Sequence, residues 1–170
     1  MTILESDLLG RPSAFRLQGL PIASTLIASC IGLLPFVASA PVIPPFGLLM
    51  ALGWRLLRPE LWPAWTALPL GLADDLIVGA PPGTAMTLWT ITFLGIDLVD
   101  SRPMWRDHWL DWWIAALAIS WCALGTWATG RFVSGGGAFW PMIPPTLIAI
   151  LAFPPIARLC ATLDRWRLRT

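Results

Sequence analysis

Two adjacent carboxylates, Asp74 and Asp75, lie within the apolar stretch GLADDLIVGAPPG at residues 71–83. Neighbouring acids can share a proton, bind a cation or accept hydrogen bonds from backbone N–H groups. The surrounding medium decides among these roles, because an ionised group in an apolar environment is costly unless it has partners. The chemistry of the two acids therefore depends on the elements that hold them.

Charged side chains are few and clustered in this sequence. The chain has 170 residues, of which 56% are hydrophobic and 12% charged, whereas soluble domains carry about 25% charged residues. Several uncharged runs reach the roughly 20 residues that a membrane-crossing helix requires. The composition therefore predicts an all-α, polytopic integral membrane protein with a single transmembrane domain over residues 1–170.

The hydropathy pattern and the prolines and glycines between apolar runs predict six spans. Every one of the 11 basic residues is Arg. If both termini are cytoplasmic, ten arginines lie on the inside and only Arg131 lies outside, in agreement with the positive-inside rule. The expected spans are 19–40, 42–57, 61–78, 80–97, 110–130 and 138–157, with short cytoplasmic ends at 1–18 and 158–170.

The N-terminal run has an alternative interpretation as a cleaved signal sequence, because Ala38-Ser39-Ala40 resembles a signal-peptidase site. The uncharged segment from Leu17 to Ala40 is longer than the apolar region of a typical signal peptide, about 7–15 residues. We therefore expect it to remain as the first span.

Tryptophans flank the predicted spans, as amphipathic rings do at the membrane–water interface. Trp89 and Trp121 fall within spans and are expected to pack inside the bundle. The expected interfacial residues are Trp54, Trp62, Trp65, Trp105, Trp109, Trp112, Trp113 and Trp166 on the inner side, with Trp127 and Trp140 on the outer side.

The third span explains why the two acids stand where they do. From Leu61 to Ala73 there are 13 uncharged residues, about 20 Å of helix, which is short of the ~30 Å hydrocarbon core. The helix must therefore continue through Asp74 and Asp75 to about Val78. One acid is then expected to bind the free N–H groups that begin span four, and the other to face headgroups or water. The alternatives are that both acids lie in the outer loop, or that one relays a proton or binds a substrate.

The stretch RPELWPAWTALPLGLADDLIVGAPPGTAMTL resembles the family of the rod shape-determining protein MreD. That family has a pattern like G-L-x-x-D-L-x-x-G-x-P-x-G, which leads into the next span. The preceding PPFGLLMALGWRLLRP is similar to the family's second span and its basic loop, here Arg55, Arg58 and Pro59. It departs from the family where Phe46 and Gly47 follow Pro45, since Asp or Asn is often found there. The resemblance covers residues 44 to 92, and the matching pattern positions are Gly71, Leu72, Asp75, Leu76, Gly79, Pro81 and Gly83.

The resemblance implies a small non-enzymatic, multi-pass scaffold of the bacterial inner membrane. Such a subunit of the cell-elongation complex is required for cell shape. Its expected partners are MreC and, through MreC, MreB, a peptidoglycan glycosyltransferase and a penicillin-binding transpeptidase. The alternative is the substrate-capture subunit of a vitamin-type energy-coupling factor transporter, which also has six short spans. The sequence lacks the convergent polar groups at mid-membrane that such a subunit needs.

Three further groups of residues have a possible role. Ser24, Ala28 and Gly32 form a small-residue stripe that could receive a partner's helix or a neighbouring span. The segment Arg106-Asp107-His108 with Asp111 holds one His, too few ligands for zinc, and is expected to be a solvated loop. The last residues, LDRWRLRT, are expected along the inner membrane surface.

The sequence predicts no catalytic residues, no cofactor site and no metal ligands. Its three cysteines, Cys30, Cys122 and Cys160, are expected to be small buried apolar residues. The net charge of +1 gives no indication of nucleic-acid binding. Besides the expected protein partners, the chain is expected to contact membrane lipids.

Overall fold

The computed structural model describes residues 14–33, 43–100, 108–135 and 137–169. Within these ranges the chain has six α-helices and no strand, so the predicted all-helical class is confirmed. The segment Ala38-Ser39-Ala40 lies outside the described residues. The helices are α1 (Ala14–Ile31), α2 (Phe46–Leu57), α3 (Ala67–Val78), α4 (Thr84–Asp100), α5 (His108–Ser134) and α6 (Ile143–Arg169).

The helices differ in length by more than a factor of two. Two segments, Trp109–Val133 and Trp140–Arg167, are long and apolar enough to cross a membrane. At 1.5 Å per residue, α5 and α6 are each about 40 Å long. In contrast, α2 and α3 have 12 residues each, which corresponds to about 18 Å.

The predicted continuous helix over residues 61–78 is wrong in its first part. Two 3₁₀ turns, Pro59–Leu61 and Ala64–Thr66, come before α3 begins at Ala67. Between them, Trp62 has φ −123° and ψ 74°, outside the α region. The physical reason is Pro63, because a proline disfavours the helical conformation of the residue that precedes it.

The sixth helix does not end near residue 157 as predicted but continues to Arg169. It passes through Pro154, which has no N–H and therefore leaves the carbonyl of Ile150 without its usual donor. The indole of Trp112 on α5 donates to that carbonyl at 3.3 Å. Residues 158–169 of the predicted C-terminal tail, which include most of the segment expected along the inner surface, are therefore part of a long helix.

The core is centred on α2, whose residues from Gly47 to Leu56 are all buried. This helix packs against α1 and α6, while α3 packs against α4 and α1, and α5 against α4 and α6. Trp54 is fully buried and Trp62 nearly so, so these two belong to the core and not to an interfacial belt. Trp89 is buried as predicted, whereas Trp121, also expected to pack inside, is 46% exposed.

Large apolar side chains cover the outside of the bundle. Five of the six helices each expose at least one of them by about two thirds or more. So many large apolar side chains on the outside of a bundle are unusual for a monomeric soluble protein. Examples, one from each of α1, α3, α4, α5 and α6, are Ile27, Leu76, Leu98, Leu117 and Leu151.

Helices α3 and α4 approach each other closely at Gly71, which is buried. A Cβ atom at this position would lie 2.6 Å from the Cα of Met86 and 2.7 Å from its backbone nitrogen. No side chain fits at that distance, so the pair can pack this closely only because residue 71 is glycine.

We expect the substitution Gly71→Ala to separate α3 from α4 and to lower the free energy of unfolding by roughly 1–3 kcal/mol. Gly95→Ala is the matched control, because Gly95 lies in α4 and a Cβ added there would have nothing within 4 Å. That variant should be neutral or slightly more stable, since alanine favours helix. Unfolding in detergent micelles measures both, and equal effects would contradict the packing argument.

Candidate functional site

The carboxylate of Asp75 joins α3 to the beginning of α4. Asp75 is 1% exposed. Its Oδ1 accepts the N–H of Ala85 at 2.8 Å, and its Oδ2 accepts the N–H groups of Gly83 at 2.9 Å and Met86 at 3.3 Å. These donors belong to the N-terminal end of a helix, where N–H groups lack intrahelical acceptors and the dipole favours negative charge. One of the two acids was predicted to make this connection, and the structure identifies it as Asp75.

The sequence between the two helices shapes the turn that makes these bonds possible. Gly79 ends α3 in the left-handed conformation, with φ +73°, and the N–H of Ala80 donates to the carbonyl of Asp75 at 3.0 Å. This is the pattern of a Schellman C-cap. Gly83 has φ +98°, a conformation that L side chains rarely adopt. The hydroxyl of Thr84 then donates to the carbonyl of Pro81 at 2.8 Å.

Asp74 occupies a different environment from its neighbour. Both acids lie within α3, so the alternative that placed them in the outer loop is wrong. The acid that does not cap α4 was expected to face headgroups or water, and the structure shows that this acid is Asp74. Its Oδ1 and the Oγ of Ser29 both lie against Gly47 of α2. A Cβ at Gly47 would lie 2.2 Å from the serine oxygen and 2.7 Å from the carboxylate. Glycine thus leaves space for two polar groups from neighbouring helices.

A cavity of about 300 Å³ opens beside Asp74 at this end of the bundle. Apolar residues, including Leu88 and Trp89, form much of its wall. Its volume lies at the small end of the range for small-molecule sites, about 300–1,000 Å³. The polar residues at its wall, besides Asp75, include Ser29, Asp74, Thr84, Thr126 and Thr146.

Arg55 forms a second buried polar centre at the opposite end of α4. It is 1% exposed and donates to the carbonyls of Pro59 and Trp62, both at 2.8 Å. Its guanidinium also pairs with Asp97 near the end of α4 and lies 5.8 Å from the centre of the Phe93 ring. Arg55 therefore holds the loop that follows α2 through its two carbonyl groups, and it joins this loop to α4 through Asp97.

Arg55 was predicted to belong to a cytoplasmic loop motif, but neither its burial nor its partner was predicted. The sequence does contain a residue that could have indicated the partner. Asp97 follows the uncharged run 76–96 and is predicted to lie on the same side of the membrane as Arg55. An acid and a base at matching depths on two spans can pair in this way.

The neighbouring Arg58 is fixed from α6. Its Nε and Nη2 each lie 3.0 Å from Oδ2 of Asp164, and Oδ1 of Asp164 accepts a bond from Arg167 at 2.7 Å. Asp164 itself is 5% exposed. The arginines of the loop motif thus bind acids on α4 and α6, and the carbonyl of Pro59 accepts a bond from Arg55.

The small-residue stripe on α1 is mostly used within the chain. Ser24 accepts a hydrogen bond from the indole of Trp54 at 2.9 Å, and Ala28 is 6% exposed. Gly32 lies just beyond the end of α1 and is exposed. Ser24 and Ala28 therefore do not form a free surface for a partner helix.

The remaining candidate residues do not gather into one site. Arg106 and Asp107 lie outside the described residues. Cys122 and Cys160 are buried as expected, but Cys30 is exposed. Among the residues that the structure describes, no three His, Cys, Asp or Glu side chains lie close enough to hold a metal ion.

No protein-family model matches the chain, and neither a curated protein nor a solved structure does. The fold and site define a class, an all-helical bundle fastened by buried carboxylate and guanidinium groups. Its function must therefore be inferred from its own residues.

We expect Asp75→Ala to lower the free energy of unfolding by about 2–3 kcal/mol, because three N–H groups at the start of α4 lose a charged acceptor. Unfolding monitored by circular dichroism in detergent measures the change. Glu60→Ala removes an exposed carboxylate and serves as the control. A loss no larger than that of the control would contradict the capping role.

Replacing Arg55 by Lys keeps the charge but removes the planar fork that reaches two carbonyls and a carboxylate. We expect a loss of roughly 1–3 kcal/mol. Arg131→Lys is the control, because Arg131 is exposed and lies over the Trp127 ring at the other end of the molecule. Denaturant titration of both proteins provides the comparison, and equal midpoints would exclude a specific role for the guanidinium.

Proposed function

We propose that this chain is a non-enzymatic scaffold subunit of the MreD type in the bacterial inner membrane. It spans the membrane six times, with both termini in the cytoplasm, and belongs to the cell-elongation complex. Its partners are MreC and, through MreC, the MreB filament, a peptidoglycan glycosyltransferase and a penicillin-binding transpeptidase.

One observation carries this proposal: the residues that resemble the MreD pattern are those that fix the α3–α4 hairpin. Gly71 permits the close approach of the two helices, Asp75 caps α4, and Gly79 and Gly83 adopt positive φ. Each of these residues meets a structural need of the hairpin. A motif of this kind supports a protein whose function is to present a fixed surface to partners.

The membrane placement is supported by the surface of the bundle and by its arginines. Exposed apolar side chains surround the described helices, and two helices have the length and composition of spans. Arg55, Arg58, Arg158 and Arg165 lie toward one end, whereas Arg131 lies at the other. The positive-inside rule assigns the arginine-rich end to the cytoplasm.

The proposed mechanism is assembly without chemistry. A rigid bundle can hold a partner's transmembrane helix in register if it offers an apolar groove on its lipid-facing surface. One such groove, of about 240 Å³, lies between α1 and α3. Its lining includes Ile22, Leu26, Trp65, Pro69 and Ala73.

A second candidate is the substrate-capture subunit of a transporter, and the cavity beside Asp74 favours it. A carboxylate and several hydroxyls at one end of a membrane bundle could receive a small polar ligand. This function and the scaffold function predict different partners, so one experiment distinguishes them.

Affinity purification of the tagged chain from its native membranes in mild detergent should recover MreC with the glycosyltransferase or the transpeptidase. Mass spectrometry identifies the recovered chains. Recovery of an ATPase-driven energising module in their place would overturn the scaffold function in favour of transport.

The same purification with Asp75→Ala should recover several-fold less MreC, because the hairpin that shapes the surface is loosened. Glu60→Ala is again the control and should recover as much MreC as the unchanged chain. If Asp75→Ala unfolds in detergent at the same temperature as the unchanged chain and retains MreC fully, the carboxylate of Asp75 is needed neither for the hairpin nor for assembly.

A further inference from the structure

A cleft of about 870 Å³ lies between α2, α5 and α6, at the arginine-rich end of the bundle. It is separate from the cavity beside Asp74, which lies at the opposite end. Apolar groups of Leu56, Trp112, Phe153 and Ala157 form one part of its wall. Arg158 and Arg165 form another part.

The two arginines lie on the same face of α6. They are seven residues apart, which is close to two turns and about 10 Å along the helix. Thr162 lies between them, and its hydroxyl accepts a hydrogen bond from Nη2 of Arg165 at 3.1 Å. Both arginine side chains are exposed, so their remaining N–H donors are available to a ligand in the cleft.

These arginines differ from those that hold the bundle together. Arg55 pairs with Asp97, while Arg58 and Arg167 share Asp164. Within the described residues, neither Arg158 nor Arg165 has an ion pair with a carboxylate. The cleft wall also includes Asp111 of α5.

We propose that this cleft binds an anionic phospholipid of the inner leaflet, with the phosphate between Arg158 and Arg165 and an acyl chain along the apolar wall. The inference rests on the membrane placement proposed above but not on the identity of any protein partner. Guanidinium groups bind phosphate oxygens with strong, directional hydrogen bonds. A phosphodiester offers anionic oxygens to these two guanidinium groups, and basic pockets between cytoplasmic helix ends suit such headgroups.

The order of apolar and charged residues along α6 supports a lipid over a free phosphate ion as the ligand. Phe153, Pro154 and Ala157 precede Arg158 and Arg165, so the apolar wall lies nearer the middle of the bundle and the charges lie nearer its end. This matches the polarity of a phospholipid, whose acyl chains extend from the headgroup toward the bilayer centre. An isolated phosphate would have no use for the apolar wall.

Native mass spectrometry of the purified chain, titrated with phosphatidylglycerol or phosphatidylcholine in detergent, tests the proposal. Phosphatidylglycerol should bind at least several-fold more tightly, and Arg158→Gln and Arg165→Gln should each weaken its binding by roughly ten-fold, the loss of one charge-assisted hydrogen bond. Arg131→Gln is the charge-matched control at the opposite end and should bind as the unchanged chain does. Unfolding temperatures in detergent verify that all variants are folded.

Three results would overturn the proposal: equal binding of the two lipids, equal binding by the cleft variants and the Arg131→Gln control, or displacement of phosphatidylglycerol by millimolar inorganic phosphate alone. The last result would indicate a free-phosphate site. Failure to recover MreC would leave this titration unaffected, so the failure of the scaffold function and the failure of lipid binding are distinguishable.

Discussion

The carboxylate of Asp75 is the interaction on which the arrangement of α3 and α4 depends. A helix that begins inside a bundle leaves several N–H groups without intrahelical acceptors, and in an apolar environment each of them is costly. Asp75 lies on the preceding helix, α3, and its carboxylate accepts hydrogen bonds from three N–H groups at the start of α4. Neutral side chains could satisfy one or two, but a carboxylate also interacts favourably with the dipole of α4. The close packing at Gly71 then follows from the position that this cap gives to the two helices.

Both ends of α4 are held by ionised groups from other helices. Asp75 of α3 binds its beginning, and Arg55 of α2 binds Asp97 near its end. Because α2 is buried along nearly its whole length, its arginine also joins the loop after α2 to the core. Charge is thus scarce in the sequence, and three of the charged side chains, Asp75, Arg55 and Asp97, fix one helix relative to the others.

The sequence predicted the helical class and the special position of the two acids, because composition and residue spacing carry that information. It could not predict that α3 begins only at Ala67, since a proline four residues earlier acts through local backbone geometry. The burial of Arg55 depends on Asp97, 42 residues away, and only the packed fold brings them together. The space above Gly47 that Ser29 and Asp74 share could not be predicted either, because it exists only where three helices meet in the packed fold.

In the proposed membrane placement, the short length of α3 has a consequence for the surrounding bilayer. Its exposed face, which includes Leu68, Leu72 and Leu76, extends only about 18 Å along the helix, whereas α5 and α6 extend about 40 Å. Lipid beside α3 would therefore meet a hydrophobic surface shorter than its own core and would thin or tilt to match it. In that placement, hydrophobic mismatch would make one side of the molecule a place where a second membrane protein relieves the deformation, so that bilayer elasticity itself would favour association there.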